Sequence, residues 1–212
     1  MIRIIGGTHR RRLLETPEDD KGTRPLPDRV RESMFSLLRG HTEGEAFADF
    51  FSGTGVFGLE AISRGASRAI MVERDRDAVG RIKRNREMLG IDPEVGVVLQ
   101  ADALGPAAIA ALPRPTHVIL FDPPYPMVED PGTRARVFDQ FRRAAECLDD
   151  TGFALIRTPW PFADPAAEGD PVPVELRIDG LRGPETHVYG STAVHWYMRD
   201  TGGPDGFADG SA

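Results

Sequence analysis

Four residues, Asp122-Pro123-Pro124-Tyr125, close the apolar run Val118-Ile119-Leu120-Phe121 and carry the clearest chemistry in the chain. A short continuous apolar run is the pattern of a strand buried on both faces. Two successive prolines then fix φ and remove two backbone donors. The backbone after Asp122 is therefore rigid, with carbonyls left to face a ligand. A planar amino group on a base would meet there a carboxylate, a backbone carbonyl and a ring to stack on, which suits methyl transfer to an exocyclic nitrogen. Read alone, the tetrapeptide fits a proline turn at a strand end equally well.

A second motif separates these readings. The strand pattern Ala46-Phe47-Ala48-Asp49-Phe50-Phe51 runs into Ser52-Gly53-Thr54-Gly55-Val56-Phe57-Gly58, where Gly53, Gly55 and Gly58 spell G-x-G-x-x-G. The acid Glu73 follows 20 residues after Gly53, at the end of the next strand pattern, Ala69-Ile70-Met71-Val72. That combination is the nucleotide-binding signature: the glycines let backbone approach a ligand and the acid takes a ribose hydroxyl pair.

The charge at the loop selects the nucleotide. A pyrophosphate prefers a helix N-terminus free of negative charge, yet Asp49 sits just before this loop. Asp49 would repel phosphate and attract an ammonium or sulfonium. S-adenosyl-L-methionine carries both cations and no phosphate, so it is the expected cofactor, with S-adenosyl-L-homocysteine as product and NAD as runner-up. Asp102 and Ala103 follow a third strand pattern, where an adenine amine finds an acceptor, and Phe51, Gly53 and Gly55 shape the loop.

The elements that must position these residues follow from periodicity. Strand patterns near 46–51, 68–73, 94–100, 116–122 and 151–157 alternate with helical patterns near 56–64, 75–89, 105–112 and 134–148. Such alternation predicts an α/β fold, a mostly parallel Rossmann-like sheet with helices on both faces. Ligands bind at the carboxyl ends of such strands, where Asp49, Glu73, Asp102 and Asp122 all fall. Before this lies a predicted β-hairpin over 1–16, then a helix capped by Asp28 and stopped by Gly40. Val174–Ile178 and Ala193–Met198 read as two closing strands. The expected organisation is a 1–40 appendage, a 41–200 catalytic domain and a disordered Gly/Asp-rich tail over 201–212.

Charge is divided along the chain. The whole carries −7, but residues 1–39 hold nine Lys and Arg against six Asp and Glu, +3, and the remainder is −10. Arg10, Arg11, Arg12, Arg24, Arg29 and Arg31 make this a candidate phosphate-contacting arm beside an acidic domain; a solvated charged face is the plainer reading. No apolar run is long enough to cross a membrane, and the start lacks a signal-peptide core, so the expected location is cytoplasmic. The lone cysteine, Cys147, falls on a helical apolar stripe and reads as a buried thiol. The histidines at 9, 41, 117, 187 and 195 show no metal-ligand spacing, so no metal is expected.

Taken together, Arg3-Ile4-Ile5-Gly6-Gly7, Arg24-Pro25 with Asp28-Arg29-Val30-Arg31-Glu32, the Asp49–Gly58 loop, Glu60 through Ala66 and Asp122–Tyr125 resemble the RsmD family. These are class I methyltransferases acting on the N2 amine of a guanine in 16S ribosomal RNA. The resemblance covers about residues 2–160 and returns at Tyr189-Gly190. It implies a seven-stranded sheet with an antiparallel last strand, a small N-terminal hairpin bearing on RNA, and 16S rRNA or a small-subunit assembly intermediate as partner of a monomeric enzyme. Asp122 would accept a hydrogen bond from one N–H of the amine and the Pro123 carbonyl from the other, with Pro124 holding the turn and Tyr125 stacking on the flipped base. Arg11 departs from the family pattern, which has glycine there, Leu26-Pro27 departs from a small polar pair, and 159–187 matches nothing. The tetrapeptide also serves adenine-N6 and other amine methyltransferases. An NAD-dependent oxidoreductase, lacking an evident proton donor for hydride transfer, and a non-catalytic RNA-binding module remain as alternatives.

Overall fold

The structure is a computed structural model that describes residues 2–17, 26–165 and 170–202. Arg24 and nearly all of the 201–212 tail lie outside the described residues. Seven strands form the central sheet: β3 (Ala46–Phe50), β4 (Arg68–Glu73), β5 (Gly96–Gln100), β6 (Thr116–Phe121), β7 (Leu148–Pro159), β10 (Leu181–Tyr189) and β11 (Thr192–Arg199). Their spatial order is β10-β11-β7-β6-β3-β4-β5. Strands β5, β4, β3, β6 and β7 run parallel, and β11 lies antiparallel between β7 and β10.

The period-two burial of these strands builds two cores. Ala48, Phe50, Ile70, Val72, Ile119 and Phe121 face one side, under α4 (Pro106–Ala110), α5 (Tyr125–Glu129) and α6 (Pro131–Ala145). Phe47, Ala69, Val118, Leu120 and Leu155 face the other, under α1 (Asp28–Leu37) and α2 (Val56–Ser63). All six residues of β6 are buried, which is why its sequence is continuously apolar. Cys147 is buried just past α6, as its stripe predicts.

The N-terminal hairpin, β1 (Ile2–Arg3) with β2 (Leu13–Leu14), is fastened to the sheet rather than appended to it. Ile2, Ile4 and Leu14 pack with Val56, Leu59 and Met71, and with Ile82 of α3 (Arg76–Met88). The fully buried Glu60 of α2 accepts hydrogen bonds from the backbone N–H of Ile5 and of Gly6, both at 2.7 Å, and from Arg64 Nε at 2.7 Å. Gly7 crosses α2 so closely that a Cβ would lie 1.6 Å from the Ser63 carbonyl oxygen, at φ 74°. Only glycine fits there.

Two expectations need correction. Asp28 is the first residue of α1, not its cap; Pro27 holds the cap position without a side-chain bond, and Asp28 pairs with Arg31 and Arg3. Val174–Ile178 is irregular; only Val172–Pro173 (β9) pairs there, with Ala163–Asp164 (β8). The partner of β11 is instead β10, whose register shifts between Arg182 and Glu185, where Gly183-Pro184 sit. Proline cannot donate to a ladder and is confined to edges and irregularities, so an edge strand carrying it hides its own pattern. Among the described residues no helix is long and apolar enough to cross a membrane.

Candidate cofactor and acceptor-amine site

The chain runs from β3 outward to β5 on one side and from β6 to β7 on the other, so the sheet reverses between β3 and β6. Open α/β sheets bind ligands in the crevice beyond the carboxyl ends at such a point. Asp49 of β3 and Asp122, directly after β6, flank it. The Asp122 N–H donates to the Phe50 carbonyl at 3.2 Å, which carries the β3–β6 pairing past the end of β6.

The loop after β3 is held in an unusual shape. Phe51, Gly53 and Gly55 all have positive φ, 62°, 53° and 71°. For Phe51 this is a strained conformation, of the kind that accumulates at functional sites. Gly55 begins α2, and a Cβ there would come within 2.7 Å of Ile82, so the loop lies pressed on α3. Ser52 donates through Oγ to the Asp49 carbonyl at 2.6 Å and through its N–H to the Val72 carbonyl at 3.1 Å, pinning the loop to both strands.

Three strand-end carboxylates differ in their settings. Asp49 is 3% exposed, and the Gly58 N–H reaches its Oδ2 at 3.3 Å. Burial pushes its pKa well above the usual carboxylate range, and the nearby charges of Asp122 and Glu73 push the same way. A buried anion in that position favours a cation. Glu73 ends β4 and accepts from the N–H groups of Gly53 (2.9 Å), Arg74 (2.8 Å) and Asp75 (2.9 Å), which aims it across the glycine loop. Asp102, exposed beyond β5, accepts from the Leu104 N–H at 2.9 Å beside the buried Ala103. Gln140 of α6, itself buried, donates to the carbonyls of Ala103 and Gly105 at 2.9 and 3.0 Å and fixes that turn. Nothing in the α6 sequence distinguishes it from a solvated glutamine.

At the acceptor end, Pro124 holds the cap position of α5 and Tyr125 is its first residue. A residue absent from the sequence expectations completes this end. Arg157 of β7 pairs through Nε with Asp122 Oδ1, reaches the Tyr125 hydroxyl through Nη1 at 3.3 Å, and lies 5.1 Å from that ring's centroid. Burial raises the Asp122 carboxyl, and Arg157 offsets only part of that rise. Register explains the placement: Phe121 pairs with Ile156, so the residues that follow them stand side by side.

The arginine arm divides. Arg10, Arg11, Arg12 and Arg29 are exposed. Arg11 has φ 69°, the conformation glycine adopts without cost, and Arg12 donates to the Met88 carbonyl at 3.1 Å. Arg31 contradicts its expected role as an RNA contact. Its side chain is wholly buried, donating to the Arg3 carbonyl at 2.7 Å and to Asp28 at 3.0 Å, with Nε 3.8 Å from Glu60. Meanwhile α3 adds cations that whole-segment charge counting concealed: Arg76, Arg81, Lys83, Arg84 and Arg86 against Asp77 and Glu87. It adjoins the hairpin through Arg84–Glu15 at 2.7 Å.

At the opposite end of the sheet, Glu45, His117 and Asp149 come together, a grouping no spacing reveals. His117 lies 2.7 Å from Asp149 through Nδ1 and 2.9 Å from His41 Nδ1 through Nε2, so a hydrogen-bonded chain already engages both ring nitrogens.

Sheet order, the antiparallel β11 and the acid-lined crevice define a Rossmann-like class I methyltransferase fold. The solved structure of yhhF from Escherichia coli superposes with a TM-score of 0.71 at 27% identity, covering 93% of this chain and 97% of that one. The chain belongs to the family described as "Conserved hypothetical protein 95", whose model matches residues 2–159, the RsmD family that its motifs resemble. Ribosomal RNA small subunit methyltransferase D of Escherichia coli (strain K12) is 36% identical over 124 residues, 58% of this chain and 60% of that protein. YlbH of Bacillus subtilis (strain 168) is 28% identical over 184 residues, 86% of this chain and 96% of that protein. The matched stretch thus spans less than two thirds of the Escherichia coli relative's length.

Proposed function

We propose that the chain is an S-adenosyl-L-methionine-dependent methyltransferase acting on the N2 amine of a guanine in 16S rRNA, within the small subunit or an assembly intermediate of it. The observation that carries this reading is the placing of two carboxylates across the crevice, the buried Asp49 and the half-buried Asp122. Asp49 stands at the glycine loop, where it suits a cation, and Asp122 stands beside an aromatic ring. Asp49 would hold the methionine ammonium, Glu73 the ribose hydroxyls and Asp102 with Ala103 the adenine, while Phe51, Gly53 and Gly55 form the floor. This fit favours the sulfonium cofactor over NAD, because the Asp49 carboxylate occupies the place a pyrophosphate would need. When bound, the cofactor supplies an electrophilic methyl group and no metal is required.

Asp122 and the Pro123 carbonyl would each accept a hydrogen bond from one N–H of the amine. That draws the nitrogen lone pair out of conjugation, and Pro124 and Tyr125 fix the plane of the base. Catalysis is then mainly orientation. The exposed Arg10, Arg11, Arg12 and Arg29 and the exposed cations of α3, Arg76, Lys83 and Arg84, would contact RNA phosphates. In this reading residues 1–40 dock RNA, 41–200 carry the chemistry in a cytoplasmic monomer, and Arg24 belongs to the same basic stretch. The name of the Escherichia coli relative supports the rRNA substrate.

Unmethylated small subunits from a strain lacking the gene provide the test. Purified protein should transfer a labelled methyl to 16S rRNA, mapped by mass spectrometry to one guanine N2. Asp122→Ala should lower that rate at least about 100-fold, the scale of a lost orienting contact, with S-adenosyl-L-homocysteine affinity kept. Label at an adenine N6 would favour the alternative amine acceptor; turnover by Asp122→Ala within a few-fold of wild type would remove Asp122 from the chemistry.

A further inference from the structure

The guanidinium of Arg157 makes two of the three contacts that an acceptor base is expected to make, those with Asp122 and with the Tyr125 ring. One N–H edge meets the Asp122 carboxylate, another N–H reaches the Tyr125 hydroxyl at 3.3 Å, and the cation lies 5.1 Å from the centre of the tyrosine ring. The side chains of Arg157 and Asp122 are only 10% and 19% exposed, so there is little room for a base beside them. The N1–C2–N2 edge of a guanine is itself a guanidine: planar, with N–H donors in a fork matching a carboxylate.

We propose that Arg157 is an internal stand-in for the amine-bearing edge of the target base, and that the base enters by displacing the arginine from Asp122 and Tyr125. The inference rests on the methyltransferase reading and adds how its acceptor pocket is kept before RNA arrives. A buried carboxylate left without a partner is costly. Arg157 keeps Asp122 paired in the base-free protein, and the incoming amine takes over the same acceptor, so the pair is exchanged rather than broken. Burial works against the arginine's own charge, and Asp122 and then Tyr125 more than restore it, which fits a resting position made for a cation. A base without an amino group at the matching place would gain nothing from the exchange, so the displacement also acts as a filter. Affinity for the base is lowered by the fraction of time the pocket is occupied from within.

Two neutral variants test this, Arg157→Ala and the volume-matched Arg157→Met, with thermal melts identifying whichever keeps the fold. Guanosine binding is measured by calorimetry in saturating S-adenosyl-L-homocysteine at pH 8.5, with and without a few millimolar guanidinium. The folded variant should bind guanosine about tenfold more tightly than wild type, as expected if the pocket is open about a tenth of the time. Added guanidinium should compete with guanosine in the variant and leave wild type unchanged. Weaker guanosine binding in the variant, restored by guanidinium, would overturn the proposal and make Arg157 a fixed positioning residue. Unchanged affinity, within twofold, would overturn it too. Should both variants fail to fold, wild type alone decides through the reactivity of Arg157 towards phenylglyoxal, read by peptide mass spectrometry. Guanosine should increase that labelling if it expels the arginine, and unaltered labelling at saturating guanosine refutes the displacement. Methyl transfer by wild type to unmethylated small subunits is scored separately, so failure of the methyltransferase reading is distinguishable from failure of the displacement.

Discussion

Glu60→Gln removes one charge from the point where hairpin, α1 and α2 meet, and its effect can be sized from the contacts. The carboxylate accepts from two backbone N–H groups and from Arg64, all at 2.7 Å, and faces the buried Arg31 Nε at 3.8 Å. Glutamine keeps one oxygen and turns an N–H₂ toward donors. At least one buried N–H then loses its acceptor, and the buried Arg31 keeps Asp28 but loses its second carboxylate. Hydrogen bonds to charged groups are worth about 1.5–3 kcal/mol each but do not add when they share an acceptor. Breaking a buried ion pair from one side costs about 3–5 kcal/mol, and about 4 kcal/mol is the expected loss. With an m-value of about 2 kcal/mol/M, the urea midpoint should fall by about 2 M. Equilibrium unfolding followed by far-UV circular dichroism measures it. RNA affinity should fall with stability, because the arginines ride on the strand that Glu60 holds, while S-adenosyl-L-homocysteine affinity in the folded fraction should not. A midpoint shift below about 0.5 M, about 1 kcal/mol on that scale, would refute the idea that Glu60 fastens the hairpin.

Asp49→Asn should stabilise the free protein at pH 7.5 and weaken S-adenosyl-L-homocysteine binding at least about tenfold, a lost charge-assisted contact. The sign follows from the raised carboxyl: the folded state holds its proton more tightly than the unfolded state, so the wild type loses stability as pH rises through that window, and Asn removes the loss. Melting temperatures across pH 5–8 decide it, and an equal or lower value for the variant at pH 7.5 contradicts the assignment. Glu73→Ala should cost about 10–100-fold in the same affinity, since it both faces the ribose and braces Gly53; calorimetry on a folded variant with unaltered affinity would take Glu73 out of the site. Replacing Arg10, Arg11 and Arg12 together with alanine should weaken RNA binding and flatten its dependence on salt without touching cofactor affinity. Filter binding over a salt series reads both, and an unaltered slope would return these arginines to the role of a solvated face.

What the sequence disclosed followed the strength of its local patterns. Fully buried parallel strands such as β6 and β4 read as apolar runs, and their end residues gave Asp122 and Glu73. The glycine loop was legible because its backbone excludes most side chains. Strand β10 was not, because it lies at the sheet edge, alternates between part-buried and exposed positions, and carries Gly183-Pro184 at its irregularity. Arg157 was hidden for a different reason. Its importance comes from the register of β7 on β6, and no spacing within Ala154-Leu155-Ile156-Arg157 announces a neighbour across the sheet. Arg31 failed in the opposite direction, since charge counting assigns every arginine to the surface while this one is enclosed between Glu60, Asp28 and the Arg3 carbonyl. The basicity of α3 was averaged away by the acidic segments around it.

The hairpin's fastenings have a consequence for the timing of biosynthesis. Residues 5–9 bond to Glu60 and Ser63, Arg12 to the Met88 carbonyl and Glu15 to Arg84 and Asn85. The surface under the hairpin is therefore complete only once residue 88 has followed it. At about 5–20 residues per second that wait is roughly 4–15 s. Throughout it the arginines belong to an unanchored peptide, and they become a defined face only when the first half of the sheet has closed beneath them. A chain interrupted before α3 is complete thus carries the charges without their arrangement.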